Sequence, residues 1–575
     1  MVGKLISRGK KFLVSPQSSV LSAATIIMFM VVASRVLGLV RQRTLAHFFA
    51  PSELSLFFAA FRLPDLIFEV LVFGTFSSAF IPVFTKALKN GRKEAWEIAG
   101  TVANISLIIF GTLALLAGIF ADRIYGLMVP GFSVEARLEI VKLARILFAA
   151  QGFFVISYVL TGVLESLRRF LVPALAPLFY NLGIILGTLF LTPRLGLLAP
   201  VIGVFVGAFF HFLVQVPLAI KLGFRFVPRI RVTPAVKKIG KLAAPRIIEI
   251  SFMQVSKTVE LFLASLISTA SYTYFTFANS LQLLPIGLFG TSIAKAALPT
   301  LARLSGSRKK FSDTLLSSLY QIVFLVTPLA TILIVLRIPL VRLVFGTQIF
   351  SWEATVQTGM VVSAFAVGVV FQAANALLAR AFYALHDTRT PVTVSVIGIL
   401  ITVTTSFILI RGFSFSVWGL AAAFSLGAFF QATTLFYLIN KKLKISSIAA
   451  IGPIFKSVVA AVGSGAIMFF LLKIFDRSVW VKRLSFLGKI ETAAFLPFEK
   501  FVLDTRYTIN LFILTMMVSL IGILVYLGLA MILRTDEVWT FFNLIKKVFI
   551  KHKIAPLPTK GSEPISPTPT DSAGA

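Results

Sequence analysis

Cysteine is absent from this 575-residue chain, so disulfide bonds and thiolate metal sites are excluded. Only four histidines are present, and they are too scattered to form a metal site. The phosphate-binding pattern G-x-x-x-x-G-K-[ST] is also missing, which excludes a nucleotide-driven motor of that type. No grouping of nucleophile, base and metal ligand stands out. We therefore expect neither an enzyme nor a bound cofactor.

Charged residues are scarce, at 13% of the chain, whereas 58% is hydrophobic and the mean hydropathy is +0.94. Apolar runs of about 20 residues recur, each long enough to cross a hydrocarbon core of ~30 Å. The sequence therefore predicts an all-α polytopic membrane protein with about fourteen transmembrane helices. The predicted spans are 20–48, 55–85, 96–121, 138–166, 172–192, 196–220, 242–268, 271–302, 312–341, 355–385, 391–411, 415–440, 450–474 and 508–533.

Acidic residues are few, with 22 against 55 Lys and Arg, which gives a net charge of +33. This excess could indicate nucleic-acid binding, but the basic residues lie mainly in every second short loop between spans, for example at 86–93, 221–241 and 303–310. Such alternation is the positive-inside pattern of membrane proteins. It predicts that both termini lie in the cytoplasm. The first ~19 residues resemble a basic cytoplasmic segment more than a cleavable signal peptide.

The first predicted span contains three arginines in an otherwise apolar segment: Arg35, Arg41 and Arg43. An arginine at the bilayer centre costs at least ~2.5–3.5 kcal/mol, so such residues usually face a protein interior or a wet cavity. Arg41 and Arg43 could instead extend to the membrane surface near the helix end. Arg35 follows a long apolar stretch, so we expect it to face a cavity.

Charged residues also share one face of the second span: Arg62, Asp65 and Glu69. They could form a local set of ion pairs that neutralises itself. Alternatively, they could line a cavity wall on a helix kinked by Pro64 and Pro82.

The seventh span holds Arg246, Glu249, Lys257 and Glu260 within about 80° of helical arc. Lipid cannot be the neighbour of such a stripe. The i,i+3 spacings permit pairing within the helix. Pairing and cavity lining are compatible, so both remain open.

Four short motifs recur in order at offsets of 211 to 220 residues, for example Gly207-Ala-Phe-Phe210 and Gly427-Ala-Phe-Phe430. An offset of six helices preserves membrane orientation, so the sequence predicts two parallel six-helix lobes plus two C-terminal helices, with the site between the lobes. The predicted divisions are a basic lead-in at 1–19, an N-lobe at 20–220, a linker at 221–241, a C-lobe at 242–445, two further spans at 446–535 with an extracytoplasmic insertion at 475–507, and a cytoplasmic tail at 536–575, disordered at its end.

Several motifs resemble the MurJ (MviN) family of bacterial lipid II flippases, over about residues 20–535. They are Ser34-Arg-Val-Leu-Gly-Leu-Val-Arg41, Ala60-Phe-Arg-Leu-Pro-Asp65 and Arg380-Ala-Phe-Tyr-Ala-Leu-His-Asp-Thr-Arg-Thr-Pro-Val392. The resemblance implies the two-lobed fold of the multidrug/oligosaccharidyl-lipid/polysaccharide exporter superfamily. It also implies outward movement of undecaprenyl-pyrophosphoryl muropeptide (lipid II) across the bacterial plasma membrane, by alternating access and without ATP, for cell wall synthesis.

The chain departs from the family pattern at several charged positions. Where the family has two arginines in the second helix, this chain has Phe68 and Glu69, and Ser55 replaces an acidic residue. Gln42 replaces an aspartate, and Ser280 replaces an arginine. The eleventh span lacks the residues that some members use to bind sodium. Coupling to membrane potential, H+ or Na+ is therefore left open.

We interpret the protein as a monomeric flippase for lipid II. A flippase for another polyprenyl-linked glycan and a drug exporter of the same superfamily are alternatives, as is a non-transporting membrane scaffold. The residues predicted to bind the substrate are Ser34, Arg35, Arg41, Arg62, Arg246 and Lys257. The residues predicted to gate transport or couple it to an ion are Asp65, Glu69, Glu249 and Glu260.

Overall fold

The computed structural model describes residues 20–73, 79–224, 229–444, 447–476 and 502–541. Apart from an isolated β-bridge between Asp476 and Leu503, the regular structure of these residues is helical. The α-helices are α1 (Val20–Phe48), α2 (Pro51–Phe68), α3 (Ile81–Asn90), α4 (Arg92–Ile119), α5 (Ala121–Met128), α6 (Val134–Ser166), α7 (Leu171–Leu195), α8 (Leu198–Leu213), α9 (Val216–Lys221), α10 (Pro234–Ile267), α11 (Ser271–Pro285), α12 (Thr291–Arg303), α13 (Arg308–Val335), α14 (Arg337–Phe345), α15 (Trp352–Ala384), α16 (Arg389–Phe407), α17 (Trp418–Leu443), α18 (Ser447–Phe475) and α19 (Thr508–Ile532).

Twelve helical segments of the described residues are long and apolar enough to cross a membrane. They correspond to the predicted spans from the third to the fourteenth. The first predicted span corresponds to α1, which carries Arg35, Arg41 and Arg43. The second, 55–85, covers most of α2, with Arg62 and Asp65, the π-helical turn that begins at Glu69, and the start of α3. The prediction of an all-α polytopic membrane protein is confirmed.

Several elements of one lobe recur in the other with the same length. Helices α6 and α15 each contain 33 residues and are related by an offset of 218. Helices α4 and α13 each contain 28 residues, at an offset of 216. A five-residue π-helical turn follows both α2, at Glu69–Phe73, and α11, at Ile286–Gly290. Two six-helix lobes in parallel arrangement account for this correspondence.

The turns after α6 and α15 are also equivalent. Arg168 and His386 both adopt the left-handed conformation, with φ of 57° and 59°. In each turn the next backbone N–H donates to a carbonyl five residues earlier, as Arg169 does to Leu164 (2.8 Å) and Asp387 does to Phe382 (2.9 Å). This hydrogen bond closes the last helical turn in the manner of a Schellman motif.

The short helices α5 and α14 are not among the elements predicted from the sequence. The predicted linker was also too long, because α10 begins at Pro234, where the side chain of Thr233 accepts a hydrogen bond from the backbone of Val236. The basic lead-in, residues 477–501 of the insertion and the tail beyond 541 lie outside the described residues.

We name the two ends of the bundle by their loops. The Pro51 end carries the starts of α2, α11, α15 and α17 and the end of α10. The basic end carries the starts of α4, α10 and α13 and the ends of α15 and α17. The lobes meet mainly where α2 packs on α11, α1 on α14, and α10 on α5 and the π turn after α2.

Candidate functional site between the two lobes

Near the Pro51 end, Ser55 of α2 meets Thr273 of α11. Their hydroxyl oxygens lie 2.9 Å apart, and the backbone N–H of Thr273 donates to Ser55 Oγ at 3.0 Å. The hydroxyl of Thr273 also donates to the carbonyl of Pro51 (2.6 Å). Both residues are fully buried. This closely spaced set of hydrogen bonds joins the N-lobe to the C-lobe.

Farther along α2, Arg62 is buried, with 5% of its surface exposed. Its guanidinium group donates to the side-chain oxygen of Gln254, on α10 of the other lobe. The Nε–H of Arg62 has no acceptor among the described residues. A buried guanidinium with a free donor is a site where an anionic oxygen would be bound favourably.

Glu69, at the start of the π turn after α2, also reaches α10. It pairs with Lys257 at 2.9 Å and accepts a hydrogen bond from the side-chain amide of Gln254. Gln254 therefore joins Arg62 to Glu69, and Lys257 extends the chain of contacts. We call these four residues the interlobe cluster. Single π turns inside α-helices are frequent at functional sites.

Asp65 turns away from this cluster and accepts a hydrogen bond from Gln151 of α6, within its own lobe. Of the two alternatives for Arg62, Asp65 and Glu69, local ion pairing does not fit the polar contacts that the structure describes, since each side chain has its partner on another helix.

The stripe on α10 is only partly described. Lys257 pairs across the lobes with Glu69 instead of with Glu260. Glu260 is half-buried and accepts a hydrogen bond from Ser256 at 3.3 Å. The side chains of Arg246 and Glu249 lie outside the described residues.

The predicted site residues of α1 lie along the junction with α7 and α11. Asn181 of α7 donates to Ser34 at 3.5 Å, and the Arg41 guanidinium lies 5.9 Å from the ring centre of Tyr180. Arg35 donates to the carbonyl of Leu283 in the C-lobe (3.2 Å). These contacts place Arg35 between the lobes and Arg41 against its own lobe.

Arg35 is also packed against Gly287, within the π turn after α11. A Cβ atom at Gly287 would lie 2.8 Å from the Arg35 guanidinium, so the glycine leaves room for the arginine. Arg43, which is exposed near the end of α1, donates to the carbonyls of Leu343 (2.7 Å) and Val344 (3.1 Å) at the end of α14. Cationic donors at a helix C-terminus are favourable because they satisfy free carbonyls.

Two glutamines that were not predicted from the sequence hydrogen-bond to the charged residues: Gln151 to Asp65, and Gln254 to Arg62 and Glu69. A signal was available for Gln254, because it precedes Lys257 by three residues and shares its helix face. Another unexpected contact joins Ser280 to Gln42 at 2.7 Å. Both positions were noted as departures from the family pattern, and together they form a neutral interlobe hydrogen bond.

Comparison with known proteins gives the same result from sequence and structure. Residues 44–490 match the family model "Lipid II flippase MurJ". The "Probable lipid II flippase MurJ" of Vibrio cholerae is 28% identical over 444 residues, covering 74% of this chain and 84% of that protein. The "Lipid II flippase MurJ" of Burkholderia cenocepacia is 26% identical over 438 residues, covering 71% and 81%.

Among solved structures, "Lipid II flippase MurJ, inward closed conformation" superimposes with a TM-score of 0.70 and 25% identity, covering 89% of this chain and 99% of that one. An inward-facing multidrug resistance transporter of the MATE family superimposes with a TM-score of 0.61 at 16% identity, covering 72% of this chain and 96% of that one, which shows the shared fold alone. Because the family model spans most of the chain, the protein belongs to the MurJ family of lipid II flippases.

Proposed function

We propose that this protein translocates lipid II from the cytoplasmic to the outer leaflet of the bacterial inner membrane by alternating access. As a member of a transporter family, it is not an enzyme. The observation that carries the proposal is the interlobe cluster, which places Arg62 and Lys257 at the contact between two lobes of a family whose name specifies lipid II.

The cargo explains why cations are needed at this position. Lipid II carries a pyrophosphate between a polyprenyl chain and a sugar-peptide head group. The polyprenyl chain can stay in the bilayer, whereas the pyrophosphate needs fixed positive charge to cross the hydrocarbon core. The guanidinium groups of Arg35 and Arg62 offer planar paired donors for phosphate oxygens.

Within the interlobe cluster, the carboxylate of Glu69 competes with the pyrophosphate of the cargo for Lys257. In this structure Glu69 holds Lys257, and Gln254 lies between Glu69 and Arg62. In our proposal, the pyrophosphate replaces Glu69 as the partner of Lys257 and takes the free Nε–H of Arg62. This exchange removes contacts between the lobes and so favours their separation at that level.

The orientation of the cycle follows from charge. We infer that the basic end faces the cytoplasm, with both termini on that side, because Lys and Arg are concentrated in its loops. A cysteine introduced at Ser52 should then react with an impermeant thiol reagent in intact cells, whereas one at Asn90 should not. The reverse pattern would overturn the orientation.

Each half of the transport cleft is supplied by one lobe of the same chain, so we infer that a monomer is sufficient. The driving force belongs to the proposal as well. Glu260 is a half-buried carboxylate on the face of α10 that carries Lys257, and we infer that it couples translocation to the membrane potential or to protons.

Reconstitution into proteoliposomes tests the function directly. The wild-type protein should move fluorescent lipid II between leaflets without ATP, and Arg62→Gln should slow this movement about tenfold or more, because a charge-assisted contact to pyrophosphate is lost. Arg123→Gln is the control, since Arg123 is an exposed arginine on α5 outside the interlobe cluster. Faster movement of another polyprenyl-linked glycan than of lipid II would identify that glycan as the cargo. Equal rates of lipid II movement with and without the protein would instead favour a non-transporting scaffold.

A further inference from the structure

A groove in the C-lobe lies away from the interlobe cluster. It has a volume of about 780 Å³ and runs between α13, α14, α15 and α17. Its walls are mainly apolar and include Met360, Val367 and Phe371 of α15 and Leu426 and Phe429 of α17. Of these four helices, only α14 takes part in the principal contacts between the lobes in the described part of the chain, and it does so at Leu343 and Val344, whereas its first residue, Arg337, lines the groove. The groove is therefore not part of the translocation site, and its function must be a different one.

The floor of the groove is a close crossing of α15 and α17. A Cβ atom at Gly368 would lie 2.5 Å from the hydroxyl of Ser425, so only glycine fits there. The same hydroxyl donates to the carbonyl of Ala364 (2.6 Å). Polar groups of the floor are thereby satisfied within the protein. The surface left for an occupant is apolar, and Val367 is 59% exposed along it.

The dimensions of the groove match one leaflet. Along α15 it extends from Met360 to Phe371, and along α17 from Trp418 to Phe429. Eleven residues of helix rise roughly 16 Å, which is about half of a ~30 Å hydrocarbon core. Because α15 and α17 both begin at the Pro51 end, the groove starts at that surface and ends near the middle of the membrane.

A single cation lies at the outer rim. Arg337, the first residue of α14, lines the groove, as does Trp418, the first residue of α17 and of a type that is enriched at the membrane interface. Its stem packs near Gly359, where a Cβ atom would lie 3.6 Å from Arg337 Cγ. The guanidinium donates to the carbonyl of Ile334 at 2.9 Å, and no ion pair to Arg337 is present among the described residues.

We propose that this groove is a binding site for an anionic phospholipid of the leaflet at the Pro51 end. One acyl chain fills the apolar groove, and the phosphate of the head group accepts hydrogen bonds from Arg337. A phospholipid fits better than the cargo's polyprenyl chain, because the groove is only as long as one leaflet is thick. The site holds a resident lipid against the C-lobe and is separate from the transport path.

Native mass spectrometry of the full-length protein in nanodiscs tests the site. The nanodiscs contain equal parts of phosphatidylglycerol and phosphatidylcholine. The wild-type protein should retain phosphatidylglycerol preferentially after release from the disc. Arg337→Gln should lower this retention about tenfold, because a charge-assisted contact to phosphate is lost. Arg411→Gln should leave it unchanged, since Arg411 is an exposed arginine at the same end but outside the groove.

A second variant tests the chain-binding part of the groove. Val367→Trp adds bulk where the side chain is already exposed, so folding is expected to be preserved. It should reduce retention of both phospholipids to a similar extent, whereas Arg337→Gln should reduce retention of the anionic one more, because the choline cation already balances the phosphate charge of phosphatidylcholine. Equal phosphatidylglycerol retention by wild type and Arg337→Gln would overturn the proposal. The proposal would also be overturned if the retained lipid were the polyprenyl pyrophosphate cargo and Val367→Trp displaced it.

Discussion

Ser55 and Thr273 lie within one residue of equivalent positions in the two lobes and hydrogen-bond to each other at 2.9 Å. Their separation of 218 residues differs by one from the offset of 217 between the π turns that follow their own helices, α2 and α11. Residues so close to equivalence can contact each other only near the axis that relates the two lobes. The axis of internal symmetry therefore passes close to this contact at the Pro51 end.

This contact predicts a cross-link that stops the cycle. Replacement of both residues by cysteine, Ser55→Cys with Thr273→Cys, introduces the only thiols into a chain that has no native cysteine. The hydroxyl oxygens are close enough for a disulfide to form with small adjustments. Oxidation should abolish lipid II movement in proteoliposomes, and reduction should restore it. Full activity of the oxidised protein would show that the lobes need not separate here.

The ion pair between Lys257 and Glu69 predicts different effects on two ligands. Lys257→Met should weaken binding of a pyrophosphate lipid about tenfold, but not that of a neutral lipid, because a charge-assisted contact to phosphate is lost. Lys142→Met, on the exposed surface of α6, is the control. Binding can be measured by lipid titration in detergent.

A purely structural salt bridge would behave differently. Each single variant would then lower the melting temperature, and Lys257→Met combined with Glu69→Met would restore it with transport intact. The i,i+3 spacing in the sequence permits Lys257 to pair with Glu260, but in the structure its partner is Glu69, so Glu69 is the residue to replace in the double variant. Restored stability together with wild-type transport would contradict a role in substrate binding.

The close packing of Arg35 against Gly287 predicts that added bulk at Gly287 will impair transport. Arg35→Ala should abolish growth of a strain depleted of its own lipid II flippase while the protein still inserts. Gly287→Ala should also reduce growth, because its Cβ would displace the guanidinium. The free energy of unfolding should change by less than about 1 kcal/mol, since the atoms that must move are at the end of a flexible side chain. Normal growth of the depleted strain with Arg35→Ala would show that Arg35 is not part of the substrate site.

We expect Glu260 to affect how lipid II movement depends on its driving force. Glu260→Gln keeps the shape of the side chain and its contact with Ser256 but removes the charge. Flipping in proteoliposomes should then depend less on an imposed membrane potential or pH gradient, with lipid binding retained. Glu139→Gln is the control, because Glu139 pairs with Lys142 on the surface of α6. An unchanged dependence in Glu260→Gln would exclude this residue from coupling.

Asp387, in the turn between α15 and α16, predicts a loss of stability in acid. Partial burial acts to raise the pKa of Asp387, but hydrogen bonds from Thr390 and Lys442 outweigh it, so the pKa lies below its ordinary value. The carboxylate therefore stabilises the fold above the unfolded-state pKa, and this contribution is lost as the pH falls through the lower folded-state pKa.

The corresponding measurement is thermal unfolding at pH 7 and below about pH 4. Asp387→Asn should cost roughly 1 kcal/mol at neutral pH, a modest value because Lys442 is well exposed to solvent. The difference from wild type should shrink in acid. Asp313→Asn, at an exposed carboxylate near the same end, should show neither effect. A constant difference across this pH range would contradict the assignment.

The sequence by itself determined the membrane character, the two-lobed repeat and the family. Those features depend on composition, on helix-length apolar runs and on motifs that recur at one offset, all of which are local or periodic properties of the chain. It also identified Arg35, Arg62 and Lys257 as residues that could not face lipid, since the cost of a charge in hydrocarbon applies whatever the fold.

Only the tertiary structure decided which partner each charged residue has. Helical periodicity places Lys257 and Glu260 on one face, but the choice of Glu69 as partner depends on how α2 packs against α10 across the lobe junction. Likewise, no motif in the sequence distinguishes Gln254 from other polar residues. It links Arg62 to Glu69 because the fold brings it into contact with residues that are 192 and 185 positions away in the chain. Hydrogen bonds are short-ranged and directional, so no pattern along the chain can specify contacts between helices that are so distant in sequence.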